Sequence, residues 1–311
     1  MKKPLLLATI ALVSSASLTA QNTTKPASVG TWKTSLQTGI NINQAAFSNN
    51  WKAGGAGTAS WSAKAFVFAK AGYNKDKFAW DNDLQLEFGK MQTTRDTVKT
   101  RTKIADRIFL ESKAGYKFTE EWRGYASLTY QSQFAKGFDA SLDTIISRFM
   151  APGYLTESFG AEYKPNEHFS AQLGLLTLRQ TILTDTAIHR GVRGNYGVAI
   201  GKKLRNELGC NIILNYNQDF YIFGTKSEKG YPINLKARYW MFTNYGKPLN
   251  TRISYTQSID HRLDLNLTAK INKYMNVMFG YTLFYDSDQD LKVQTTQNFG
   301  LGILYAISNT K

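Results

Sequence analysis

The sequence predicts an all-β chain folded as one closed antiparallel transmembrane β-barrel of about fourteen strands, with twelve the other count the spacing allows. Three observations lead there. From Trp32 onward apolar and polar residues alternate with a period of two, the mark of strands whose two faces meet different surroundings. The alternating segments run roughly 10–16 residues, whereas strands of water-soluble domains cluster near 5–6. Short connections mostly take turns with long ones, as periplasmic turns and extracellular loops do in outer-membrane barrels.

At the N-terminus, Met1-Lys2-Lys3-Pro4 is a short basic stretch, residues 5–13 are an apolar core, and residues 14–20 are small and end before Gln21. That is the layout of a cleavable export signal whose core is too short to span a bilayer. Cleavage is expected near Ala20, and Gln21 in place of Cys argues against a lipidated N-terminus. Residues 21–30 then form a short periplasmic segment, and residues 31–311 the barrel. No later window holds the roughly 18 consecutive apolar residues of a membrane helix, a test that barrel strands of about 9–11 residues escape. A mean hydropathy of −0.35 beside 17 Tyr, 18 Phe and 6 Trp suits the barrel.

Strands are expected near 31–43, 57–72, 77–91, 101–118, 122–135, 154–164, 168–180, 191–203, 206–221, 231–245, 250–258, 261–271, 275–286 and 292–307. The pattern is plain in Trp80-Asp81-Asn82-Asp83-Leu84-Gln85-Leu86-Glu87-Phe88 and in Leu263-Asp264-Leu265-Asn266-Leu267. Short turns fall at Asn74-Lys75-Asp76, Thr119-Glu120-Glu121, Pro165-Asn166-Glu167, Leu204-Arg205, 245–249 and Asn272-Lys273-Tyr274. Longer loops fall at 44–56, 92–100, 136–153, 181–190, 222–230 and 287–291. The connection near Ile259-Asp260 breaks the alternation. Phe299, Leu301, Ile303, Tyr305 and Ile307 share one face of the last segment, resembling the terminal strands that act as assembly signals. Aromatics such as Trp32, Trp61, Trp80, Tyr116, Trp122, Tyr163 and Tyr274 sit near strand ends, where interfacial girdles are built.

Three stretches carry a resemblance. Asn41-Ile42-Asn43-Gln44-Ala45-Ala46-Phe47-Ser48-Asn49-Asn50-Trp51-Lys52-Ala53-Gly54-Gly55 resembles the start of a Bacteroidetes-type outer-membrane family known only as domain of unknown function 3078. Ser147-Arg148-Phe149-Met150-Ala151-Pro152-Gly153-Tyr154 and Ala269-Lys270-Ile271-Asn272-Lys273-Tyr274 look like further landmarks of it. The resemblance implies a barrel and carries over no catalytic or ligand residue.

Several chemistries are disfavoured. The three His, at 168, 189 and 261, and the lone Cys210 form no metal signature and no disulfide. His168-Phe169-Ser170 has the His-x-Ser spacing that resembles outer-membrane acyl hydrolases, yet it follows a short turn, at the periplasmic end rather than the outer leaflet. Gly54-Gly55-Ala56-Gly57 lacks the Gly-Lys-Ser/Thr of a phosphate-binding loop. The charge of +15 (38 basic, 23 acidic) is scattered and forms no nucleic-acid patch. No catalytic residue, metal or cofactor is expected. The expected partners are outer-membrane lipid and lipopolysaccharide, with another envelope protein as a further candidate and no nucleic acid.

The polar phase places Asp81, Asp83, Glu87, Arg107, Glu111, Lys113 and Arg123 in the lumen on one side, and Lys236, Arg238, Arg252, Arg262 and Lys270 on the other. Acidic and basic walls facing one another would set a transverse field across a water-filled channel. The other reading is that these charges pair and fill the lumen. Phe138, Ile145, Ile146, Phe149 and Met150 make the 136–153 loop either an inward plug or a docking surface. Pro152-Gly153 is expected to turn into the next strand at Tyr154. Trp51 is expected to clamp its Gly-rich loop. The leading expectation is a passive or selective channel for small polar or anionic solutes. The alternative is a structural or accessory barrel that binds another envelope protein or lipopolysaccharide through its loops.

Overall fold

The computed structural model describes residues 29–45, 58–95, 98–138, 145–185, 188, 196–199, 201–221, 232–246, 254–272, 274–288 and 290–309. Residues 1–20, expected to be an export leader, most of the 21–30 segment, Trp51, Gly54 to Gly57, His189 and Arg252 lie outside them.

Long alternating segments become long strands. They are β1 (Thr31–Ala45), β2 (Thr58–Lys75), β3 (Phe78–Arg95), β4 (Val98–Lys117), β5 (Trp122–Ser132), β8 (Gly153–Tyr163), β9 (Phe169–Ile182), β10 (Leu204–Phe220), β11 (Ile233–Asn244), β12 (Asp260–Lys270), β13 (Met275–Asp286) and β14 (Asp290–Ser308), with a small hairpin of β6 (Gly137–Phe138) and β7 (Ile145–Ser147) between β5 and β8. Successive barrel strands pair antiparallel, and β1 pairs β14 with Ser35 opposite Ser308 and Ile42 opposite Leu301. Closure leaves no sheet edge, so every strand can satisfy its backbone in a medium without water.

The barrel therefore has twelve strands, not about fourteen. Two expected strands are absent. In 191–203, the described part turns through positive φ at Tyr196, Gly197 and Gly201, a conformation that ends pairing. In 250–258, Thr256–Ser258 is a 3-10 turn, and Ser254 and Gln257 satisfy one another locally, Ser254 N donating to Gln257 Oε1 at 3.0 Å. Leu204-Arg205 accordingly opens β10 instead of turning, and 245–249 belongs to a long connection. Residues 222–230, expected on the outer side, lie outside the described residues, but β10 ends at Phe220 and β11 begins at Ile233 at the end that holds both termini. The 92–100 loop shrinks because β3 and β4 pair as far as Arg95 and Val98.

The packing is inside-out. Lys113, Glu162, Gln172, Arg179, Asn211, Asp264 and Asn276 are buried, while Ile42, Leu175, Phe299, Leu301 and Ile303 are more than half exposed on the outer wall. In water such a belt would be an aggregation surface; in a bilayer it is the lipid contact. At the end carrying the termini, rings link side to side along the outside: Trp32 with Tyr73 (5.1 Å) and Trp80 (5.8 Å), Tyr73 with Phe78 (6.4 Å), Tyr116 with Phe118 (6.1 Å), and Trp122 with Tyr163 (4.9 Å). Tyr239, His261 and Tyr285 make a shorter cluster toward the loop end, with Tyr239 Oη 2.7 Å from His261 Nδ1. Cys210 shares the outward phase of Leu208 and Ile212.

Candidate functional site

The inward phases of the barrel are rich in charged and polar side chains, with Phe66, Phe109, Ile213 and Phe242 buried among them, and the lumen is organised as layers of ion pairs. Toward the terminal end, the buried Glu162 of β8 accepts from Lys113 Nζ of β4 (2.7 Å), from Gln172 Nε2 of β9 (3.1 Å) and from Arg123 Nε of β5. Arg123 also reaches Asp81 of β3 at 2.9 Å. Mid-barrel, Arg238 of β11 crosses the lumen to Glu111 of β4 at 2.7 Å. Arg262 and Asp264 of β12 form a two-point contact at 2.7 and 2.9 Å, and Thr282 donates to Asp264 at 2.8 Å. Lys70 holds Asp83 at 3.1 Å and Lys64 holds Glu87 at 3.4 Å. Nearest the loops, Arg179 of β9 pairs with Asp260 of β12 and with Asp286 of β13 (3.2 Å). The rings of Tyr154, Trp240 and Phe242 lie within 5.6 Å of its guanidinium.

Asp81, Asp83, Glu87, Arg107, Glu111, Lys113, Arg123, Lys236, Arg238, Arg262 and Lys270 all occupy the inward phase of their strands. They do not form two opposed walls of unlike sign. The acidic residues of β3 are matched by Lys64 and Lys70 from β2 and by Arg123, and Arg238 spends its charge on Glu111. The lumen is a paired network in place of the expected transverse field, because close pairs of opposite charge in a medium of low dielectric outweigh long-range separation.

A cavity of about 310 Å³ lies between the middle layer and the loop end. Arg107, Phe109, Arg238, Arg262 and Asp264 line it together with Ser127, Thr129, Gln131, Thr156 and Ser158 of β5 and β8, Gln131 standing directly beside Phe109 in the β4–β5 pair. Its ceiling is Gln133, Ser147, Pro152 and Tyr196, which belong to two connections packed together. Ala151, Leu183, Ile188 and Val198 form a buried apolar cluster with Tyr196 against it. Thr184 Oγ1 donates to the Phe149 and Met150 carbonyls at 3.2 Å each, Tyr196 Oη to the Ile146 carbonyl at 2.5 Å, and Arg148 pairs with Asp185. Burial pushes the Tyr196 phenol up to about 12, so it remains a donor at neutral pH. Of the residues expected to fold over the mouth, Ile145 and Ile146 lie in the small hairpin, Met150 adopts φ 56, Pro152 follows a cis bond, and Tyr154 faces the cavity. Phe138 and Phe149 point away, 56 % and 57 % exposed.

Arg179, Glu162, Asp260 and Asp286 were not anticipated. A bulge explains Arg179: between the pairs Gly209 with Thr177 and Asn211 with Gly174, β9 spends one residue more than β10. Leu175 and Leu176 therefore both face outward, 61 % and 52 % exposed. The side-chain phase slips by one, and simple alternation misplaces the residues beyond the bulge. Two consecutive outward leucines in Leu173-Gly174-Leu175-Leu176-Thr177 are the signal. The His168-x-Ser170 pair is not assembled: His168 Nδ1 lies 3.1 Å from the Asn217 carbonyl, and Ser170 Oγ accepts from Asn215 Nδ2 at 3.3 Å. No His, Cys, Asp and Glu group among the described residues could hold a metal ion.

A family described as a protein of unknown function, DUF3078, matches residues 42–138, less than half of the chain. The match takes in most of the first resembling stretch and neither of the other two. No curated protein matches the chain. Among solved structures, the chain is similar to the COG4313 outer membrane channel from Pseudomonas putida F1, at 10% identity and a TM-score of 0.39 over 93% of this chain and 100% of that one. It is similar to the NanC porin at 7% identity and 0.37, over 86% and 98%, and to the translocator domain of the autotransporter NalP from Neisseria meningitidis at 11% identity and 0.32, over 88% of each. Likenesses this distant leave any function to be argued from the barrel's own geometry.

Proposed function

We propose that the protein is an outer-membrane channel for small polar or anionic solutes, narrowed on its outer side by the two packed loops. The observation that carries this reading is a lumen lined by charged and polar side chains among a few inward aromatic ones, enclosing a cavity of about 310 Å³ with a guanidinium-rich wall. A barrel serving only as a scaffold could fill that space with apolar side chains at less desolvation cost. Orientation follows from most of the connections, the end with the two packed loops facing outward and the end with both termini and the short turns after β2, β4, β8 and β12 facing the periplasm. The test is conductance of the purified protein in planar bilayers, where a sealed barrel gives no channel events.

The exposed Phe138 and Phe149 favour a second reading, an accessory barrel that docks another envelope protein or lipopolysaccharide through its mouth. Cross-linking from position 149 in intact cells separates the two: a single discrete adduct supports docking, and conductance without an adduct supports the channel.

A further inference from the structure

Four arginines line the cavity, and three of them are already spent. Arg179 is held by Asp260 and Asp286, Arg238 by Glu111, and Arg262 by Asp264. Arg107 has no ion pair or hydrogen bond among the described residues, and its Nε is buried without a partner. The nearby carboxylates are not available to it, since Glu87 faces Lys64 and Asp264 already takes Arg262 and Thr282. Nor does the fold keep other cations away. Arg107 Cζ lies 4.8 Å and Arg238 Cζ 5.5 Å from the centre of the same Phe109 ring, so two guanidinium groups converge on one aromatic side chain, and Glu111 is bonded, among the described residues, to Arg238 alone. A buried charge without a counterion is costly, and an unspent guanidinium fork is suited to two oxygens of a carboxylate or phosphate.

The wall that continues from β4 into β5 and β8 is of a different kind. Ser127, Thr129 and Gln131 alternate along β5, and Thr156 faces Thr129 across the β5–β8 pair. These are uncharged hydroxyl and amide groups without a side-chain hydrogen bond among the described residues. A ligand against this wall meets a cation and an aromatic ring from β4 and neutral donors and acceptors from the adjoining β5 and β8. The volume is at the small end of ligand cavities.

We infer that the cavity is a binding station for a small polyhydroxylated monoanion of sugar-acid type, with Arg107 taking the carboxylate and the β5–β8 wall taking the hydroxyls. This rests on the reading of the lumen as a solute path, deepens it to a substrate class, and is tested separately from conduction. Calorimetric titration of the full-length barrel in detergent at low salt, with sodium gluconate as the probe, should give saturable binding. Glucose lacks the charge and acetate the hydroxyls, and each should bind at least tenfold more weakly. Arg107→Gln breaks no ion pair and should weaken gluconate roughly tenfold to a hundredfold, the loss of a charge-assisted hydrogen bond. Arg107→Lys should recover part of it. Thr129→Val, on the β5–β8 wall, should weaken gluconate and leave acetate unchanged, which keeps the test open if the Arg107 variants assemble poorly. Absence of saturable gluconate binding, equal binding of acetate and gluconate, or an undiminished Arg107→Gln overturns the station. Gluconate binding with the predicted variant pattern in a barrel that shows no channel events would uphold the station while removing the channel. Conduction without gluconate binding would do the reverse.

Discussion

Arg179 holds together three parts of the wall that lie far apart in sequence, and Arg179→Met tests how much the loop-side layer matters. Arg179 is 6 % exposed as a residue, and its partners Asp260 and Asp286 are 4 % and 2 % exposed. Met keeps much of the aliphatic volume against Tyr154, Trp240 and Phe242 but deletes the charge that faces two carboxylates. Breaking a buried pair by removing one partner costs about 3–5 kcal/mol. Loss of the cation–π contact with the three rings adds about 0.5–2 kcal/mol. The assay is reversible urea unfolding of the barrel in detergent, followed by tryptophan fluorescence and by heat-dependent gel migration. The reasoning also predicts a rescue: Asp260→Asn and Asp286→Asn, added to Arg179→Met, should restore more than half of the loss, because they remove the stranded charges. A loss under about 1 kcal/mol for the single variant, far below the range for a broken buried pair, refutes the argument. So does a triple variant as unstable as the single one, since packing and not charge would then be at fault.

Other consequences are simpler to read. Cys210 shares the outward phase of Leu208 and Ile212, so in intact membranes it should resist a membrane-impermeant thiol reagent and react once the protein is unfolded; rapid labelling in the membrane would place β10 in the wrong register. Lys236 lines the lumen without a salt bridge among the described residues, whereas Arg238 is tied to Glu111. Lys236→Glu should therefore move the reversal potential toward cations with the barrel intact, most strongly at low salt, while Arg238→Glu should also lower the unfolding midpoint by setting two carboxylates face to face. An unchanged reversal potential in a conducting Lys236→Glu protein would remove that residue from the solute path. Deleting 138–148 while keeping Pro152, Gly153 and Tyr154 should leave the barrel inserted, because these residues lie outside its ladder, and should raise single-channel conductance by opening the ceiling made by Ser147 and its neighbours. Loss of insertion would make the small hairpin part of the wall's assembly.

The alternation of apolar and polar residues was enough to read the barrel, its inward and outward faces and most strand positions, because lipid and lumen impose different chemistry on successive residues. It failed where a segment alternates without pairing. The glycine-rich 191–203 stretch and the polar 250–258 stretch both fit the pattern, but their described parts turn, Tyr196 and Gly197 through positive φ and Thr256–Ser258 as a 3-10 turn. The two errors came as a pair, so the even count and the placing of both termini at one end survived. Between them the pattern sends every connection to the wrong end of the barrel, which is why Leu204-Arg205 reads as a turn where it opens β10. Beyond Ile259-Asp260, where the alternation of short and long connections had already broken, the register was correct again.

The site was less legible for a different reason. Periodicity tells which way a side chain points and nothing about what it meets, and in a closed barrel the decisive partners come from strands remote in sequence. Arg238 and Glu111 are 127 residues apart, and Arg179 and Asp286 are 107. Both members of the first pair were recognisable as lumen residues, but the inference of opposed charged walls required strand three to lie opposite strand ten in a ring of fourteen. Removing two strands turns the wall so that β11 stands across from β4, and what would have been a field across open water becomes a bonded pair. The same rotation determines which cation is left over. If Arg107 were as well matched as Arg238, the cavity would be an electrically closed space. Its guanidinium is instead unspent beside hydroxyls without a side-chain hydrogen bond among the described residues, so any selectivity for anions should depend on cations inside the lumen, Arg107 and Lys236 among them, and not on the chain's overall charge of +15. Substituting exposed lysines on the outer loops should then leave ion preference almost unchanged, while the single change Arg107→Gln should reduce it.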